Sequence, residues 1–311
     1  MCGIFGILIN PISDFPVKNI EATLRRISQL SESRGKDSSG IAFRNLGSKT
    51  IEVIKGDVPI HKLLKSKTFE QKLNKSLESY QNGNGFTAFG HARLVTNGSQ
   101  LQEVNNQPVI KNGLLLIHNG IIVNVDEIWQ QNTDLKREFL IDTEIILSLL
   151  RKELIKEDDL VKASSNAFSQ LEGTFSVACM FEDLDQFVLA TNNGSLYYLT
   201  DHTQYIVFAS ERIFLKKLQE DNSFQIFDKE SEIRQLEANE GLIINITTLD
   251  LRPFNLLSKD HEILQSKVPT AFQTNKFLID NLHSKNEVVI DPAYFIIRSK
   301  EKHLFGLLEN N

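Results

Sequence analysis

The second residue of the chain is a cysteine, in the run Met1-Cys2-Gly3-Ile4-Phe5-Gly6. Initiator methionine is removed co-translationally when the next residue is small, so Cys2 can become the mature N-terminus. One residue then carries both a thiol and a free α-amine. The thiol is a nucleophile. The amine, with an ordinary pKa of about 7.7–8.0, is partly neutral near pH 7 and can serve as general base and then as general acid. Attack on a carbonyl carbon through a covalent thioester needs nothing more, and no histidine. The plain structural alternative is a small residue buried at the start of a strand.

Other familiar chemistries have no motif to carry them. No GxxxxGK[ST] loop, HExxH or CxxC occurs. Gly83, Gly85 and Gly90 miss the dinucleotide spacing, so neither a metal nor another cofactor is expected. His91 and His118 read as hydrogen-bonded structural histidines, because the amine already supplies the base. Cys179 sits in an apolar run and reads as core. The lysines of residues 62–75 read as a solvated helix face.

These groups must be positioned by ordered elements, and the composition permits that. At 311 residues, 41% hydrophobic and 24% charged, the sequence is that of a folded protein with room for one large domain and an extension. A formal net charge of −6 argues against a nucleic-acid backbone as partner. No apolar run nears the roughly 18 residues of a membrane span, and no basic segment of a signal peptide opens the chain. Two cysteines fit a reducing compartment better than a disulfide framework. A cytoplasmic location, with no membrane partner, is expected.

Short apolar runs alternate with amphipathic segments. Residues 2–9 read as a buried strand ended by Asn10-Pro11, and Ile20, Leu24, Ile27 and Leu30 lie at helical spacing. Further strands are expected at 38–44, 50–54, 88–95, 114–117 and 121–123, with turn-forming Asn-Gly pairs between them. Residues 60–81 read as a lysine-rich surface helix, and 143–154 and 160–171 as two more helices. Strands return at 174–181, 186–190, 196–199, 205–209, 241–246 and 250–254. From about residue 255 the repeat is lost, although Phe272, Phe277, Tyr294, Phe295 and Phe305 remain. The order of elements predicts an α+β fold in which two β layers pack face to face under helices. It spans residues 2–254, and residues 255–311 form an extension too short for more than a marginal core.

Six blocks carry a resemblance. After Met1-Cys2-Gly3-Ile4-Phe5-Gly6 come Arg34-Gly35-Lys36-Asp37-Ser38-Ser39-Gly40, Gly90-His91-Ala92-Arg93-Leu94-Val95-Thr96, Asn106-Gln107-Pro108, His118-Asn119-Gly120 and Asp142-Thr143-Glu144, in this order. Glu172-Gly173-Thr174-Phe175-Ser176 extends the series. Together they resemble the class II glutamine amidotransferases, the N-terminal-cysteine branch of the N-terminal nucleophile hydrolases. The glutaminase domains of glucosamine-6-phosphate synthase, amidophosphoribosyltransferase and asparagine synthetase share the series.

The resemblance implies a four-layer αββα sandwich and a substrate, L-glutamine. It implies Cys2 as nucleophile, with Asn119 (side-chain amide) and Gly120 (backbone N–H) as the oxyanion hole. The same Asn-Gly pair also spells a two-residue hairpin turn. Arg93 offers a planar fork for the α-carboxylate, Asp142 an acceptor for the α-ammonium, and Thr96 and Asn97 further grip after Arg93. Arg34 and Gly35 would support the nucleophile, Gly35 by letting backbone approach closely. Leu94 stands where the glucosamine-6-phosphate synthase family has a tryptophan that gates ammonia, and Asn97 where it has a histidine. No acceptor domain of those enzymes is recognisable after residue 254. The expected role is therefore a free-standing glutaminase subunit, passing ammonia to a separately encoded synthase that docks on residues 255–311. A partner-independent γ-glutamyl amide or peptide hydrolase, and a non-catalytic glutamine-binding regulatory module, are the alternatives.

Overall fold

The computed structural model describes residues 2–94, 105–221, 227 and 231–257. In chain order the first half holds β1 (Gly3–Ile9), α1 (Val17–Ser31), β2 (Ser38–Asn45), β3 (Thr50–Gly56), α2 (Ile60–Leu63), α3 (Lys67–Gln81) and β4 (Phe86–Arg93). Then come β5 (Val109–Lys111), β6 (Leu114–Ile122), α4 (Val125–Gln131), α5 (Thr143–Lys156) and α6 (Leu160–Phe168). The rest is β7 (Gly173–Phe181), β8 (Gln186–Thr191), β9 (Leu196–Thr200), β10 (Tyr205–Ala209), α7 (Arg212–Glu220), β11 (Ile233–Leu236), β12 (Glu240–Asn245) and β13 (Leu251–Asn255). None of the described helices is long and apolar enough to cross a membrane.

The strands form two antiparallel sheets, β11-β9-β10-β1-β4-β2-β3 and β13-β12-β8-β7-β6-β5. Each sheet is apolar on both faces, and strand alternation sorts the side chains into three layers of core. In β1, Phe5, Ile7 and Ile9 meet α1, α2, α3 and α7, while Ile4 and Leu8 point between the sheets. In β7, Ala178 and Met180 point between the sheets, and Phe175, Val177, Cys179 and Phe181 meet α5 and α6. The result is the expected four-layer αββα sandwich. Cys179 is core, as its surroundings in the sequence suggested.

Two expectations need correction. Residues 60–81 are not one surface helix: the chain breaks at residues 64–66, where the Ser66 hydroxyl caps α3 by accepting from Phe69 N at 3.1 Å. The lysines do face water, but Phe69, Leu73, Leu77 and Tyr80 form a stripe at helical spacing that is buried in the core. Each such side chain contributes about 1.5–3 kcal/mol by leaving water. The lysine count hid this stripe.

The second correction concerns Asn119-Gly120, which is not a hairpin turn. Strand β6 runs straight through the pair, with Asn119 opposite Ser176 and Gly120 opposite Phe175 on β7. The reversal lies earlier, at Asn112-Gly113, where φ is 52° and 73°, the left-handed values a two-residue turn needs. Gly120 serves the contact between strands instead. Its φ is 148°, and a Cβ there would stand 1.9 Å from the Thr174 carbonyl oxygen.

Candidate active site

Three candidate residues reach one place by strand arithmetic. Ile4, Phe89 and Ile117 all point between the sheets. Cys2 precedes the first by two residues, Arg93 follows the second by four, and Asn119 follows the third by two. A period of two therefore turns all three to the same inner layer. Gly3 pairs with Ala92 across β1 and β4, which sets Cys2 beside Arg93 at the next step.

Cys2 is 8% exposed. Its backbone nitrogen donates to Asn119 Oδ1 at 3.1 Å, a bond that spans from one sheet to the other, and its thiol donates to the Leu94 carbonyl at 3.4 Å. Burial pushes the thiol pKa up, against the Leu94 hydrogen bond and the positive charges of Arg93 and Arg34. The sulfur thus keeps its proton at neutral pH until a base takes it. With Oδ1 accepting from Cys2, the Nδ2 group of Asn119 makes no hydrogen bond to the described residues.

Gly120 adds a second donor at the same edge. His118 N donates to Gln107 Oε1 at 2.6 Å and Ile122 N to Asp142 Oδ2 at 3.0 Å, both away from β7. Alternation along β6 turns the N–H of Gly120, midway between them, toward the same open edge. Gly120 there lines a small open cavity, together with Cys2, Arg93, Asn105, Gln107 and Asp142.

The charged groups of this cavity are held by backbone and side-chain groups. Arg93 Nη1 donates to the Asn105 carbonyl at 3.0 Å and to Asn106 Oδ1 at 3.2 Å. Asp142 occupies the N-cap position of α5 but makes no capping bond; its carboxylate accepts from Ile122 N and stands 3.8 Å from His118 Nδ1. Burial holds His118 below its ordinary pKa, against the pull of Asp142. His91, wholly buried, is pushed down to about 3 by burial, the charge of Arg93 and neighbouring His118. Both histidines are neutral at pH 7.

Arg34 ends the turn after α1 and pairs with Glu211 at 2.5 Å. Gly35 packs on the strand that carries Arg93: a Cβ at Gly35 would lie 2.2 Å from the Arg93 carbonyl carbon and 2.4 Å from Leu94 N. The structure thus gathers Cys2, Arg93, Asn119, Gly120 and Asp142, with Gly35 behind them. Thr96 and Asn97 lie outside the described residues.

A family profile described as a glutamine amidotransferase domain matches residues 91–217, from the end of β4 into α7. The chain is 26% identical over 256 residues to the glutamine–fructose-6-phosphate aminotransferase (isomerizing) of Thermococcus kodakarensis, covering 77% of this chain and 38% of that enzyme. It is 30% identical over 190 residues to the amidophosphoribosyltransferase of Methanocaldococcus jannaschii, covering 59% and 36%. The chain contains a class II glutamine amidotransferase domain. It spans less than half the length of either relative.

The amidotransferase domain has the fold of solved relatives as well. A glutamine phosphoribosylpyrophosphate amidotransferase from B. subtilis, complexed with ADP and GMP, superposes with a TM-score of 0.57 at 23% identity, over 82% of this chain and 49% of that one. A structure described as the allosteric regulatory enzyme of purine biosynthesis gives 0.58 at 22% identity, with the same coverage.

Sequence reasoning about the amidotransferase domain passed over Gln107. Its side-chain amide accepts from His118 N and donates to the His118 carbonyl at 3.0 Å, so it extends the edge of β6 beyond the short β5. The Asn106-Gln107-Pro108 block was visible, but an amide that mimics a strand has no periodicity to announce it. Lys55 was also unmarked. Its Nζ holds the same segment, donating to the Asn106 and Pro108 carbonyls at 2.9 and 3.1 Å.

Proposed function

We propose that the domain hydrolyses L-glutamine to L-glutamate and ammonia through a γ-glutamyl thioester on Cys2. The observation that carries this reading is the 3.1 Å contact between Cys2 N and Asn119 Oδ1, beside a cavity lined by Arg93 and Asp142. Once Met1 is removed, that nitrogen is the α-amine. It takes the thiol proton as sulfur attacks the side-chain carbonyl carbon of glutamine. The oxygen gains negative charge and is met by Asn119 Nδ2 and the N–H of Gly120. The protonated amine then donates to the departing nitrogen, the C–N bond breaks, and ammonia leaves. Water, deprotonated by the same amine, cleaves the thioester and restores the thiol. Arg93 holds the α-carboxylate and Asp142 the α-ammonium, with Thr96 and Asn97 completing the grip and Arg34 and Gly35 supporting the nucleophile.

The remaining part of the proposal concerns where the ammonia goes. It passes in the cytoplasm to a synthase, encoded separately, for which residues 255–311 are the dock. The support is that relatives sharing this domain carry it within longer enzymes named for nitrogen transfer. Co-purification of an ammonia-consuming synthase tests this part. Full-rate glutaminase activity from a native monomer would remove it.

The chemistry is tested at Cys2. Cys2→Ala abolishes glutamate release from glutamine while leaving the circular dichroism spectrum unchanged, and an uncleaved tag before Cys2 is equally damaging. Wild-type activity in either protein would overturn the nucleophile assignment. Faster release of glutamate from other γ-glutamyl amides than from glutamine would move the substrate to that class.

A further inference from the structure

The proposed reaction makes no use of the most deeply buried ion pair among the described residues. Lys111, at the end of β5, and Glu144, in the first turn of α5, meet at 2.5 Å with side chains 5% and 0% exposed. Glu144 Oε1 also accepts from Glu138 N at 2.7 Å, and Oε2 from Phe139 N at 2.8 Å. Lys111 donates in addition to the Lys136 carbonyl. Its ammonium stands 5.3 Å from the centre of the Trp129 ring and 6.0 Å from that of Phe139. One pair of charges therefore fastens β5, α4, the segment 136–139 and the start of α5 to each other.

That segment leads directly into the cavity wall. Residues 140 and 141 follow it, and Ile141, Asp142 and Thr143 line the cavity. Asp142 is tied to the second sheet at Ile122 N and has given up the capping of its own helix. Thr143 Oγ1 lies 3.3 Å from His118 Nδ1. The backbone on either side of the Asp142 carboxylate is thus held by Glu144, from before through Glu138 and Phe139 and from after through α5. A buried ion pair gives little stability over apolar side chains of the same size, because desolvation offsets the attraction. What it supplies is a fixed geometry, and here the geometry fixed is that of Asp142.

We propose that Lys111 and Glu144 are positioning residues for substrate binding: together they set the place at which Asp142 receives the α-ammonium of glutamine. This rests on the assignment of Asp142 given above. The test compares Glu144→Gln, the double variant Lys111→Met/Glu144→Gln, Lys111→Arg and Asp142→Asn in the full chain. Readouts are glutamine KM and kcat, thermal melting, and the rate at which iodoacetamide alkylates Cys2, which needs no ammonium site.

Glu144→Gln is expected to raise KM about 10-fold or more, with kcat changed less than about 3-fold and alkylation unchanged. The double variant, which leaves no lone buried charge, is expected to melt near the wild type and keep the raised KM. Lys111→Arg, with its charge retained, stays within about 3-fold of the wild-type KM. A folded double variant with wild-type KM overturns the proposal. So does loss of fold in both Glu144 variants, which would make the pair a stability element. If Asp142→Asn raises KM and the double variant does not, only the positioning role fails. If Asp142→Asn leaves KM unchanged, the assignment of Asp142 fails with it.

Discussion

A buried cysteine is usually inert, and burial alone would make Cys2 so, since it raises the thiol pKa. What distinguishes Cys2 from Cys179, which is buried still more deeply, is the company of polar groups. Cys179 has apolar neighbours on a β7 face that meets helices; Cys2 has the Leu94 carbonyl, Asn119 Oδ1 and the field of Arg93. If Asn119 Nδ2 meets the oxyanion, Asn119→Ala lowers kcat by about 10²–10³ with little change in KM, because the lost bond exists only in the transition state. If Arg93 holds the α-carboxylate, Arg93→Lys does the opposite. It raises KM for glutamine about 10-fold or more and leaves the alkylation rate of Cys2 nearly unchanged, since a point charge cannot reproduce a planar fork. Steady-state kinetics on both variants separates the two roles. Cys2, Arg93, Asn119, Gly120 and Asp142, which the structure brings together, could be nominated from the sequence because their blocks are local. Gln107 and Glu144 lie in such blocks too, but their contacts, like those of Lys111, could not be read, because the partners are backbone groups or charges remote along the chain.

At the scale of elements, the site hangs on close backbone approaches. Gly35→Ala forces the Arg93–Leu94 backbone away from the turn after α1, since the new Cβ would begin 2.2 Å from a carbonyl carbon. That displaces the carbonyl to which the Cys2 thiol donates. The expected result is a fall in kcat of at least 10-fold in a protein that still folds. Gly120→Ala is harsher, with a contact of 1.9 Å and a left-handed φ together. It separates β6 from β7, and a drop in melting temperature of several degrees measures it. Strand positions were mostly readable, since β-rich apolar runs are short and bounded. The Asn-Gly rule then failed at one pair and held at another. Asn112-Gly113 turns because its neighbours Val109–Lys111 have β6 to fold back on; Asn119-Gly120 cannot, because β7 pairs continuously along it. Helix α7 escaped notice because only Phe214, Leu215 and Leu218 mark its buried side.

At the scale of the whole molecule, the sandwich encloses two neutral histidines, and this sets its response to acid. His91 is held at about 3 against an ordinary 6.5, and His118 is lowered as well. Between those values the unfolded chain binds more protons than the folded one, so stability falls as pH drops below 6.5 and continues to fall toward 3. Each such histidine adds a slope of up to about 1.4 kcal/mol per pH unit. His91→Leu removes one titrating group, and melting curves from pH 7 to 4 should show a shallower decline than the wild type. Equal slopes would mean that His91 does not control the transition. The αββα layering was the least legible level from periodicity, because strands buried on both faces lose their alternation. The order of elements pointed to two β layers under helices, and the series of blocks to the four-layer sandwich.

Cys2 immediately precedes β1, which lies in the middle of its sheet, flanked by β4 and by β10, the latter ending at Ala209. Residues 3–9 are made before either of the strands that flank them. The strand that closes over their other side is made some two hundred residues later. The strand that carries this end of the chain is therefore enclosed on both sides only once residues as distant as 209 have been made.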